Sequence, residues 1–149
     1  MADLKIDSGG WVVVCDGAKA LVLQNAGNRA VPRLTAKEVY EQPDPKTHEM
    51  GADRPGRAFS PAGGGRSAVE QTDWHDQAER DFLVQLAKHL DATIAAGKVK
   101  SLIIVAPPRA LGMIRAAYPH ALKAAVRVEI DKDLVKQPVH LIEKHLTGA

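Results

Sequence analysis

The apolar positions fall into two periods along the chain. Trp11-Val-Val-Val-Cys15 is a short β-branched run, and Ala18-Lys-Ala-Leu-Val-Leu-Gln24 follows it across Asp16-Gly17. Two apolar runs joined by Asp-Gly predict a β-hairpin. Asn25-Ala-Gly27-Asn28 predicts a second turn, and the stretch from about Arg33 to Glu41 a third extended segment, so the first part reads as an antiparallel meander. Later the period changes. Trp74, Ala78, Phe82, Leu86, Leu90 and Ile94 recur every four residues, with Leu83 and Ala87 beside them. That is the stripe of a helix about 20 residues long, capped by Thr72 or Asp73 and stopped at Gly97. Ser101-Leu-Ile-Ile-Val-Ala106 is continuously apolar and predicts a strand buried on both faces. Pro107-Pro108 stops it and opens a helix reaching about Tyr118. Ala125-Val-Arg-Val-Glu-Ile130 alternates as a strand does. Asp131 and Asp133 then open a last short helical region, which Gln137-Pro138 restarts and Gly148 ends.

Between the meander and the long helix, from Gln42 to roughly Thr72, neither period holds. Pro43, Pro45, Pro55 and Pro61 mix with Gly51, Gly56, Gly63, Gly64 and Gly65, and large apolar residues are few. A connection of about 30 residues far exceeds the usual 4–6 and predicts a functional loop that is mobile at least between Ala62 and Ser67. The element order is β-β-β, long loop, α-β-α-β-α. It predicts one α/β domain over residues 1–149, with a mixed five-stranded sheet and helices packed against it. Ribonuclease-H-like domains have this order.

Charge changes the picture more by position than by amount. The net charge is only +2. From Lys98 to Arg127, however, the basic residues Lys98, Lys100, Arg109, Arg115, Lys123 and Arg127 occur with no Asp or Glu between them. Such asymmetry marks a polyanion-facing side, unless the six point in different directions. Cys15 is the single cysteine, so no intrachain disulfide can form, as suits a reducing compartment. The N-terminus has no signal-peptide pattern, and no apolar run reaches about 18 residues. The expected location is the cytoplasm, without membrane insertion.

The candidate chemistry narrows by elimination. The run Gly63-Gly-Gly-Arg-Ser67, placed before a helix, offers close backbone approach and unpaired N–H groups, which suit phosphate. It matches neither a Walker loop nor a dinucleotide fingerprint. Metal-dependent nuclease chemistry needs several carboxylates at the sheet. Asp16 is accounted for by its turn, and no acid follows the strand ending at Ala106. His75 and Glu79 are spaced i,i+4 but make no tetrahedral set. Cys15, inside a β-run, reads as a small buried hydrophobe. No metal and no cofactor is expected, and no catalytic residue is assigned.

Nearly the whole chain resembles the bacterial host attachment protein family. The resemblance is carried by Trp11–Gln24, Gly51-Ala-Asp-Arg-Pro-Gly-Arg57, His75-Asp-Gln-Ala-Glu-Arg-Asp-Phe82, Val99–Arg115 and Lys132-Asp-Leu-Val-Lys-Gln-Pro138. That family in turn resembles the middle domain of archaeal and eukaryotic class 1 peptide chain release factors. There Gly-Gly-Gln-Ser-Ala stands where this chain has Gly64-Gly65-Arg66-Ser67-Ala68. The resemblance implies a loop that enters a ribosomal RNA site. Arg66 replaces the glutamine that helps water attack peptidyl-tRNA, and a guanidinium donates but does not accept. The catalytic role is therefore not carried over. The resemblance implies a ribosome- or tRNA-binding protein in which Gly64, Gly65, Arg66 and Ser67 form the tip and Arg54, Arg57 and Arg109 contact phosphates. The alternative it implies is a non-enzymatic interaction protein acting in surface attachment.

Overall fold

The computed structural model describes residues 5–42 and 68–147, with side chains at 5–42 and 75–147. Among these residues five strands form one open sheet: β1 (Trp11–Cys15), β2 (Lys19–Asn25), β3 (Leu34–Glu41), β4 (Leu102–Ala106) and β5 (Val126–Asp131). Their order is β3-β2-β1-β4-β5. The helices are α1 (Ala68–Ala95), α2 (Pro108–Arg115), α3 (His120–Ala125) and α4 (Val139–Thr147). β2 pairs antiparallel with both β1 and β3, whereas β4 and β5 run parallel to β1. The carboxyl ends of β1, β4 and β5 therefore share one edge of the sheet with the β1–β2 turn and the end of β3. Their amino ends share the opposite edge.

β1 and β4 are buried at every position, which is why they read as unbroken apolar runs. Alternate residues enter two cores. Val13, Cys15, Val22 and Ile104 meet Leu83, Leu86 and Leu90 of α1, with α2 and α3 alongside. Val12, Val14, Leu23 and Val105 meet Ile6, Leu134 and the α4 residues Ile142 and Leu146. The result is a three-layer mixed α/β sheet with helices on both faces. Each fully buried Val, Leu or Ile contributes about 2 kcal/mol of transfer free energy.

Four local expectations need correction. α1 starts at Ala68 and runs for 28 residues, not from Thr72 or Asp73. The chain has no Gly or Pro from Ala68 to Ala96 to prevent this, and Ser67-Ala-Val-Glu70 has capping-box spacing. The buried line on α1 is Leu83, Leu86, Ala87 and Leu90, with Phe82 only partly buried. A strict every-fourth row drifts around a helix of 3.6 residues per turn, so it cannot remain on one face. The helix opened by Pro108 ends at Arg115, and Pro119 starts α3, whose Leu122 N–H donates to the Asp91 carboxylate at 2.8 Å. The last helix begins at Val139, after Pro138 accepts from the N–H groups of Leu141 and Ile142. Residues 132–138 precede it without helix. Gly97 does end α1: it sits at φ +80°, and Lys98 N–H donates to Thr93 C=O at 3.2 Å.

Candidate functional site at the carboxyl edge of the sheet

The residues singled out on the long segment, Arg54, Arg57, Gly64, Gly65, Arg66 and Ser67, lie outside the described residues, as does the expected mobility of Ala62 to Ser67. The two ends of that segment are described, and both lie toward the carboxyl edge. Gln42 donates from its backbone N–H to Ala18 C=O and from Nε2 to Gly17 C=O, each at 2.8 Å. α1 follows directly on Ser67 in the sequence.

The β1–β2 turn is built by Asp16. Its carboxylate accepts from the N–H groups of Ala18 at 2.8 Å and Lys19 at 2.9 Å. That leaves it a turn residue, as expected of Asp-Gly. Gly17 lets α1 approach. A Cβ there would stand 2.6 Å from Cγ, 2.8 Å from Cδ and 2.9 Å from Cβ of Glu79. On the other side, Arg109, the second residue of α2, donates to the Asp76 carboxylate and lies 3.4 Å from that of Glu79. The hydrogen bond to Asp76, more than its charge or that of Glu79, pushes the guanidinium pKa up. α1 is thus held at Asp76 and Glu79, beside the β1–β2 turn and the start of α2. Residues 68–75 precede these contacts. At 1.5 Å per residue they make about 12 Å of helix before these contacts.

Arg109 thus lies beside α1, held by two carboxylates. A phosphate reaching it would have to share or displace them. Three members of the basic run, Arg109, Arg115 and Arg127, pair with different carboxylates. Arg109 lies at the carboxyl edge. Arg115 donates through Nε (2.9 Å) and Nη2 (2.7 Å) to Glu129, and Arg127 at the start of β5 donates to Asp7 at 2.9 Å. Sequence reading did not single out Asp76, Glu79 and Gly17 as a unit. Their only signal was the Asp-Gly turn together with two acids three residues apart at the start of a helical stripe.

The remaining polar groups are structural in setting. Among the described residues no three His, Cys, Asp or Glu side chains are grouped to hold a metal ion. Glu79, considered with His75 as a ligand face, packs instead over Gly17 and Arg109. Cys15 is fully buried, and burial, with the neighbouring Asp16 charge, pushes its thiol up to about 12. Tyr40 of β3 donates to Glu38 at 2.5 Å and meets His89 Nε2 of α1 at 2.5 Å. This polar cluster ties the edge strand to the helix. Its hydrogen bond from Tyr40 holds the Glu38 carboxyl below its ordinary range. Among the described residues no helix is long and apolar enough to cross a membrane.

Residues 11–146 match the family described as "Protein required for attachment to host cells". An uncharacterized protein of Rickettsia prowazekii (strain Madrid E) is 40% identical over 70 residues, which are 47% of this chain and 45% of that protein. A crystal structure of an archaeal translation termination factor, aRF1, resembles the fold weakly. Its TM-score is 0.47 at 14% identity, covering 90% of this chain and 34% of that one. The matched regions thus span less than half the length of either relative.

Proposed function

This chain belongs to the family of proteins required for attachment to host cells, and we propose that it acts by binding RNA of the ribosome or tRNA, without catalysing hydrolysis. Gly64, Gly65, Arg66 and Ser67 are the contact tip in this reading, and Arg54 and Arg57 supply flanking phosphate contacts. Arg109 contributes once the Asp76 and Glu79 carboxylates share it. The observation that carries the reading is the start of α1. The glycine run precedes a helix that is held at Asp76 and Glu79 and whose residues 68–75 come before those contacts. A backbone without Cβ atoms ahead of such a helix suits a crowded RNA cleft. Helix N-termini and arginines attract phosphate. The strand order further supports reading the sheet as ribonuclease-H-like. The resemblance of Gly64-Gly65-Arg66-Ser67-Ala68 to the release-factor loop supports the RNA partner. A cytoplasmic site of action belongs to the same proposal.

The test is binding of purified protein to tRNA across a salt series. Three or four phosphate contacts give a log–log slope of about −2 to −3 on single-stranded segments. Arg66→Ala should flatten the slope by roughly one contact. Arg66→Gln, which restores the release-factor sequence, should gain peptidyl-tRNA hydrolysis on ribosomes if the loop reaches the ester. Salt-insensitive or absent binding would refute the proposal. The second reading, a non-enzymatic partner in surface attachment, is favoured by the family's description and by exposed Val31 and Val39. It would then take its place.

A further inference from the structure

The opposite edge of the sheet carries a second basic centre, assembled from residues far apart in sequence. Its organiser is Asn25, the last residue of β2, which is 1% exposed. Asn25 Nδ2 donates to the carbonyls of Ile6 (2.9 Å), Asp7 (3.3 Å) and Asn28 (3.2 Å), and its Oδ1 accepts from the N–H groups of Gly27 (2.9 Å) and Arg33 (2.8 Å). One buried amide thereby ties the 5–10 segment to the β2–β3 turn, at the edge that holds the amino end of β1. Gly9 takes φ +77° to close the first of these. At Gly27 a Cβ would fall 2.2 Å from Val31 C=O, so the second admits only glycine there. Between them lies a cavity of about 280 Å³, lined among others by Lys5, Asp7, Arg29, Ser101 and Arg127. Three cations face one carboxylate. Asp7 accepts from Arg127 at 2.9 Å and lies 3.3 Å from Arg29. Lys5 has no ion-pair partner among the described residues.

The geometry points to a phosphate-binding site in this cavity, with Arg29, Arg127, Lys5 and the Ser101 hydroxyl as donors. Asp7 acts as the internal anion that holds the two guanidinium groups until phosphate enters. The space suits a phosphate group with a small attached body and lies at the lower end of ordinary ligand pockets. Paired arginines match phosphate oxygens in plane and charge. Arg127 also lines a second hollow of about 600 Å³ beside Arg115 and Lys123, which gives an entering chain a cationic exit. This site is independent of Arg109, which lies at the other edge with Asp76 and Glu79.

Backbone amide shifts on titrating full-length protein with inorganic phosphate and pyrophosphate provide the test. Saturable shifts at Gly10, Ser101 and Arg127 are expected. Arg127→Ala should weaken binding about tenfold or more, and Lys88→Ala, at an exposed position of α1, should leave it unchanged. Asp7→Asn is the discriminating variant, because the backbone contacts of Asp7 survive while its competing charge is removed. It should tighten binding several-fold. The absence of saturation at millimolar pyrophosphate would overturn the proposal. So would an Asp7→Asn protein that is folded by urea titration yet loses binding as far as Arg127→Ala. A short single-stranded RNA displaced by pyrophosphate would identify the phosphate as that of a nucleic-acid backbone. An RNA that does not compete would identify it as a small free phosphate compound.

Discussion

Gly17→Ala probes the joint at which α1 is held. The new Cβ would lie 2.9 Å from Glu79 Cβ and 2.6 and 2.8 Å from its Cγ and Cδ. Ordinary carbon–carbon contact is about 3.5–4.0 Å. Cγ and Cδ can rotate away, but only by giving up the 3.4 Å approach to Arg109. Glu79 Cβ cannot move without α1 or the turn moving. Forced overpacking costs about 1–3 kcal/mol. The ion pair, with both partners more than a third exposed, adds little. The expected loss is about 2 kcal/mol, or roughly 4–8 °C in Tm for a chain of this size. Glu79→Ala removes two of the three close atoms. A double-mutant cycle should therefore give a coupling of about 1 kcal/mol. Urea midpoints at constant slope supply the measurement. If Gly17→Ala stays within about 0.5 kcal/mol of wild type, or the two changes are additive, α1 does not meet the turn at this position.

Leu90→Ala should cost about 3 kcal/mol by urea titration, and Phe82→Ala clearly less, because Leu90 is fully buried and Phe82 only partly. The Glu129 carboxyl lies below its ordinary 4.5, chiefly through the Arg115 hydrogen bond and further through that from Tyr118, with burial opposing. A depressed folded-state pKa gives stability that is present above the unfolded value and lost as pH falls through the folded one. Urea midpoints should thus fall as pH drops below about 4.5, and Glu129→Gln should flatten part of that fall; an unchanged profile would refute the assignment. Cys15, buried and with its thiol pushed up to about 12, should react with a thiol reagent only as fast as the protein unfolds. Reaction at the rate of a free thiol in native buffer would contradict its burial.

The sheet was legible where burial leaves a plain mark. β1 and β4 are covered on both faces, so Val12–Val14 and Leu102–Ala106 show as unbroken apolar runs, and Asp16-Gly17 marks the β1–β2 hairpin. Helix ends were less legible, because their determinants are local and compete. Thr72 and Asp73 look like caps, yet lie inside α1, since nothing from Ala68 onward stops the helix. α3 is six residues long, too short for a periodic signal. The two edges of the sheet were least legible. Gly17, Asp76, Glu79 and Arg109 meet only once the parallel β1–β4 pairing is formed, as do Asp7, Arg29 and Arg127 at the other edge. Three cations that stand in one run of the sequence, Arg109, Arg115 and Arg127, therefore face different carboxylates in the fold.

The central claim is that the glycine run preceding α1 in the sequence engages ribosomal or transfer RNA. Co-sedimentation of the protein with ribosomes from its own lysate, at low and high salt, tests it most directly. Wild type and a variant with Gly64, Gly65 and Arg66 replaced by Ala should be compared after urea titration shows equal stability. The account predicts that wild type pellets with ribosomes at low salt and is released steeply as salt rises, while the variant stays in the supernatant throughout. A wild-type protein that never leaves the supernatant, or a variant that pellets equally well, would contradict it.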